Sequence, residues 1–212
     1  MRKLVLISWI IIIILFVTSL YFYTILPDKI TTHWNSSGVP NGTMSKEWGL
    51  FLIPLITLVI FILFILIPKI DPLRKNIEKF LIYFDSFILI FILFMFYIHM
   101  ITIIWNLGIK INMNLLLIPA IGFLYIYIGI LLRQVKQNWF IGIRTPWTLS
   151  NKVVWDKTHK LGSKLFIISG IITLIGIFFL NYTIWFVLVP ILLSAIWLVI
   201  YSYIEFRKGE KG

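Results

Sequence analysis

No cysteine occurs among the 212 residues. That excludes disulfides, thiolate metal sites, thiol nucleophiles and S-acylation together. Charge is scarce as well. Asp, Glu, Lys and Arg make up 13% of the chain, where a soluble domain carries about 25%, and only eight residues are acidic. With 60% hydrophobic residues, the chain has too little polar surface to clothe a soluble core, so an integral membrane protein is expected. No GxSxG, P-loop, HExxH or pair of intramembrane carboxylates is present, and the expected protein is not an enzyme. Alanine is sparse while Ile, Phe, Lys and Asn abound, the codon bias of an AT-rich bacterial genome.

What is present is a set of long apolar runs. About 20 apolar residues, at ~1.5 Å each, cover ~30 Å of hydrocarbon. Six stretches suffice: 4–26, 50–67, 80–105, 113–132, 165–180 and 184–204. Pro27 is expected to close the first and Pro68 the second. The last two, parted by Asn181–Thr183, form a tight helical hairpin. Arg2 and Lys3 precede the first run as in a secretory signal. The run is too long for a signal core, however, and "YFYTILPDK" offers no small-x-small cleavage site; an uncleaved span is expected.

The net charge of +11 is not gathered into a basic domain, so direct nucleic-acid binding is not expected. Its distribution sets orientation. With the N-terminus in the cytoplasm, Arg2, Lys3, the four cations from Lys69 to Lys79, the seven from Arg133 to Lys164, and Arg207, Lys208 and Lys211 all fall inside. Only Lys29, Lys46 and Lys110 of the 19 fall outside. The expected fold is therefore an all-α polytopic membrane protein with six transmembrane helices and both termini cytoplasmic.

Two polar islands interrupt the runs. The outer one, 27–49, reads "PDKITTHWNSSGVPNGTMSKEWG". Ser36-Ser37-Gly38 and Pro40-Asn41-Gly42 are turn signals, so a short folded loop or hairpin is expected, held at the headgroups by Trp34 and Trp48. A plain interfacial connector is the alternative. His33, Asp28 and Glu47 are hard ligands, but no spacing such as His-x-x-x-His joins them, and neither metal nor cofactor is expected.

The inner island, 133–164, reads "RQVKQNWFIGIRTPWTLSNKVVWDKTHKLGSK". Gly142 and Pro146 break regular structure, and Ser150 can cap a following helix. Over 151–161 that helix sets Val154, Trp155, Thr158 and Leu161 on one side and its lysines mostly elsewhere, the pattern of a helix lying on anionic lipid. Trp155 and His159, four apart, share a face. Asn138, Arg144, Trp147 and His159 exceed what an anchor needs.

"LPDKITTHWNSSGVPNG" before a span resembles the N-terminal domain of the SdpI-type family of bacterial membrane proteins. "NWFIGIRTPWTLSNKVVWDKTHKLG" resembles the C-terminal signature of the same family. Order, separation and six-span layout agree over essentially the whole chain. The resemblance implies an N-terminal two-span unit, 1–68, and a four-span SdpI-like unit, 69–212. It also implies immunity: the family's namesake protects its cell from a toxic peptide, the sporulation-delaying protein, and holds a transcriptional repressor at the membrane. On this reading His33, Trp34, Asn35, Gly38 and Pro40 form an outward recognition surface for a toxic peptide. Asn138, Gly142, Arg144, Pro146, Trp147, Trp155 and His159 form a cytoplasmic signature loop.

Ionisable groups inside a span are costly and default to functional candidates. Asp85 and His99, fourteen apart, lie within ~40° of one helix face yet about 21 Å apart along it. Thr102 and Asn106 continue the stripe, and Lys79 or Arg133 is the expected counter-charge for Asp85. A small transporter using this face is the alternative function. Gly122 and Gly129, and likewise Ser169, Thr173 and Gly176, mark expected close helix contacts.

Overall fold

The computed structural model describes residues 2–209; Lys211 of the inner charge cluster lies outside the described residues. Eight helices and one β-hairpin follow in the order α1 (Lys3–Tyr23), β1 (Lys29–Trp34), β2 (Pro40–Ser45), α2 (Lys46–Ile70), α3 (Arg74–Glu78), α4 (Leu81–Asn106), α5 (Met113–Gln134), α6 (Pro146–Ser150), α7 (Lys152–Ile175) and α8 (Thr183–Gly209). Six helices are long and apolar enough to cross a membrane. In hydrocarbon every backbone polar group must be satisfied within the segment, so apolar runs of this length close into helices.

The helices pack as two trios. α1, α2 and α4 contact one another, α7 packs on both α5 and α8, and α4 meets α5 across the middle. α1 presents Val5, Ser8, Ile12, Leu15 and Ser19, a buried stripe at three- and four-residue steps. The second trio relies on small residues, as expected of helix contacts without a hydrophobic drive between them. A Cβ on Gly122 would lie 3.1 Å from the carbonyl of Gly170, and one on Gly129 would lie 2.7 Å from that of Ser163. Ser169 bonds Ser194 at 3.1 Å, and Thr173 donates to the Phe186 carbonyl.

Three expectations change. Pro68 does not close the second span; α2 holds both Pro54 and Pro68 and ends at Ile70. The expected surface helix over 151–161 is not separate. It forms the start of α7, which runs unbroken into the fifth span because Val154, Trp155, Thr158, His159 and Gly162 are buried along one side. Ser150 does not cap it: Asn151 accepts from the Val153 and Val154 amides. Two short 3-10 turns, Gly176–Phe178 and Leu180–Tyr182, then join α7 to α8.

The outer island folds as an antiparallel hairpin with irregular register at His33. Ile30, 1% exposed, sits among Leu26, Leu50 and Ile103, which roots the hairpin on the ends of α1, α2 and α4. The inner island lies at the other end of the bundle. These are termed the hairpin end and the loop end.

Candidate functional site

At the hairpin end the strand β1 is clamped to α4 by one amide. Asn106 accepts from the Thr31 amide at 2.8 Å and donates to the Thr31 carbonyl at 2.9 Å, so its side chain imitates a neighbouring strand. Asn114 donates to the Ser36 carbonyl. Asn35 closes the turn: its Oδ1 accepts from the Ser37 and Val39 amides, while Gly38 takes φ 74°. The carbonyl of Asn35 is thus used within the turn, and its NH2 remains the group available to a ligand. His33 meets Asn41 Oδ1 through Nδ1 at 2.6 Å. With that oxygen as acceptor, Nδ1 carries the proton and Nε2 is left to bond a ligand.

Beneath the hairpin is a cavity of about 380 Å³ between α2, α4 and α5. His33, Trp34, Asn35, Thr32 and Asn114 give it a polar rim, and Leu52, Ile53, Phe94, Ile98, Leu117 and Ile121 give it apolar walls. A second hollow of about 350 Å³ reaches from the same His33, Trp34 and Asn35 to α8. Trp34 separates the two, edge-on to Trp105 at 5.6 Å, with its indole N–H buried and unbonded among the described residues. The structure therefore gathers His33, Trp34 and Asn35 at one site. Gly38 and Pro40 shape the turn and the start of β2 and do not line the cavity. The sequence gave no sign of the cavity walls, because a Leu lining a cavity and a Leu facing lipid read alike. Asn114 carried no periodic signal either. Among the described residues no group of three His, Cys, Asp or Glu could hold a metal.

The loop end is a different kind of construction. Asn138, fully buried, accepts from the Phe140 and Ile141 amides and donates to the Lys136 and Ile141 carbonyls. His159 donates from Nδ1 to the Trp155 carbonyl and accepts at Nε2 from the Ile143 amide; backbone partners fix this tautomer, since a carbonyl only accepts and an amide only donates. Trp155 stacks on His159 at 4.0 Å and donates to the Val135 carbonyl. Gly142 takes φ 109°, and a Cβ there would collide with His159 Nε2. Pro146 opens α6 behind the Thr145 cap, Trp147 rests on Tyr203 at 5.1 Å, and Arg144 donates to the Trp139 carbonyl. The buried side chains of the signature thus spend their hydrogen bonds folding the loop. Sequence reasoning missed Asp71, which accepts from the Leu73 and Trp139 amides, and Gln137, which donates to the Thr148 and Leu149 carbonyls.

Asp85 and His99 both face α1, as their shared helix face requires. The partner of Asp85 is Arg2, at 2.9 Å, not Lys79 or Arg133, because the start of α1 lies beside the start of α4. His99 meets Ser19 Oγ at 3.0 Å, and Ser19 also lies within bonding distance of the Leu15 and Leu50 carbonyls. Ser19 has one proton and two carbonyl acceptors, so His99 is the donor and its Nδ1 is left without a partner among the described residues. Between these groups Ile88 and Ile92 are wholly buried, so the seam carries apolar packing where a proton relay would need polar contacts.

Residues 134–202 match the SdpI/YfhL protein family, and residues 10–58 match a domain of unknown function, DUF1648. The first match spans the loop, α6, α7 and most of α8; the second spans most of α1, the hairpin and half of α2. The immunity protein SdpI of Bacillus subtilis (strain 168) is 30% identical over 203 residues, which is 95% of each chain. No solved structure matches the chain.

Proposed function

This chain belongs to the SdpI/YfhL protein family, and from that premise we propose that it is an immunity protein of the bacterial cell membrane that recognises a toxic peptide at the cavity beneath the hairpin. The observation carrying this reading is the union of His33, Trp34 and Asn35 on the rim of one apolar cavity of about 380 Å³. The charge distribution turns this end outward, where an amphipathic peptide arrives and concentrates at headgroup depth. An apolar side chain of the peptide enters among Phe94, Ile98 and Leu117. His33 Nε2 and the Asn35 NH2 bond its backbone, which leaves neither an unpaired polar group nor a buried charge. The loop end, with its excess of exposed cations, faces the cytoplasm and holds a transcriptional repressor there.

The test is survival of sensitive cells that express the chain under challenge by the sporulation-delaying peptide. The double substitution His33→Ala, Asn35→Ala is expected to abolish protection at unchanged membrane abundance, since both side chains are exposed or half-exposed and neither packs in a core. Full protection by that variant would reduce the hairpin to a connector.

A further inference from the structure

We propose that a second hollow, at the loop end, binds one anionic phospholipid. The hollow measures about 300 Å³ and lies where α2 and α5 flank α4. Phe64 of α2, Phe87 of α4, Ile128 of α5 and Phe166 of α7 form its walls, and Phe140 and Ile143 of the signature loop close it. None of these side chains bears a polar atom, so water would find no partner inside. At ~30 Å³ for each water-sized group, the space holds roughly ten, a good part of one acyl chain.

Charge identifies the head of that ligand. Arg133 directly follows the lining residues Leu131 and Leu132 and has no partner among the described residues. Arg144 directly follows Ile143, and its bond to the Trp139 carbonyl, 2.7 Å, holds the guanidinium beside Phe140 while using one of five donors. The nearby carboxylate, Asp71, already accepts from two backbone amides, at 2.6 and 2.9 Å. Trp139 is half exposed, a residue suited to headgroup depth. Two guanidiniums over an apolar hollow fit a lipid phosphate above an acyl chain. The internal bracing of the loop by Asn138 and His159 then has a purpose, because it fixes Phe140 to Ile143 as one wall. This site is separate from the hairpin cavity and stands whether or not that cavity takes a peptide.

Native mass spectrometry of the full chain, released from detergent with equimolar phosphatidylglycerol and phosphatidylcholine, tests the proposal. One phosphatidylglycerol should be retained, favoured on the order of tenfold, the scale expected of two cations at a lipid surface. Arg133→Gln alone, a change at an exposed position, should lower that preference several-fold, and Arg133→Gln with Arg144→Gln should erase it. Ile128→Trp, which fills the hollow, should lose both lipids. Equal retention of the two lipids by the unaltered chain, an undiminished preference in the double variant, or lipid still retained by Ile128→Trp would each overturn the proposal.

Discussion

Gly142 and Gly108 share a left-handed backbone, φ 109° and 101°, but differ in their surroundings. A Cβ at Gly108 meets nothing within 4 Å, whereas at Gly142 it strikes the His159 ring nitrogen that accepts from the Ile143 amide. Both Ala substitutions incur backbone strain of about 1–3 kcal/mol, and Gly142→Ala adds the loss of that hydrogen bond. Thermal unfolding in detergent should therefore show Gly142→Ala distinctly less stable than Gly108→Ala, and equal midpoints would contradict the bracing described for the loop. At this scale the sequence was partly legible. Spacing placed Asp85 and His99 on one face, and Trp155 with His159 on another. The identity of the counter-charge was not legible, because Arg2 reaches Asp85 only through the packing of α1 on α4, which no local pattern encodes.

Among the elements, the hairpin depends most on a few side chains. Its two strands are exposed over much of their length, and a lone two-stranded hairpin is at best marginally stable. Ile30 and the two-point clamp by Asn106 therefore hold it to the helices. Asn106→Ala should speed amide hydrogen exchange at Thr31 and along both strands while α4 and α5 keep their protection. Unchanged exchange would show that Ile30 alone suffices. The hairpin was readable from its turn residues. The path of α7 was not: Lys152, Lys157, Lys160 and Lys164 suggested a helix lying flat, yet they line the outer side of a helix whose other side, from Val154 to Gly162, is buried. Amphipathicity reports which side is buried and is silent on whether lipid surface or neighbouring helices bury it.

For the whole molecule, the six spans followed from length and hydropathy, and the structure has six helices of the required kind. The grouping of those helices, and the cavities left between them, depend on tertiary packing that apolar runs do not specify. Orientation rests on the cation count. A cysteine at Ser37 in this cysteine-free chain should react with an impermeant thiol reagent on intact cells, and one at Ser150 should react only after lysis; the reverse pattern would invert the topology. The central claim, that a toxic peptide enters the cavity beneath the hairpin, is met most directly by photo-crosslinking. Benzoylphenylalanine replaces either Leu117, which lines the cavity, or Leu193, which is 61% exposed on α8, and cells carrying each variant are irradiated with the sporulation-delaying peptide. The account predicts a peptide adduct from position 117 and none from position 193. Equal adducts from both positions, or an adduct from 193 alone, would contradict it.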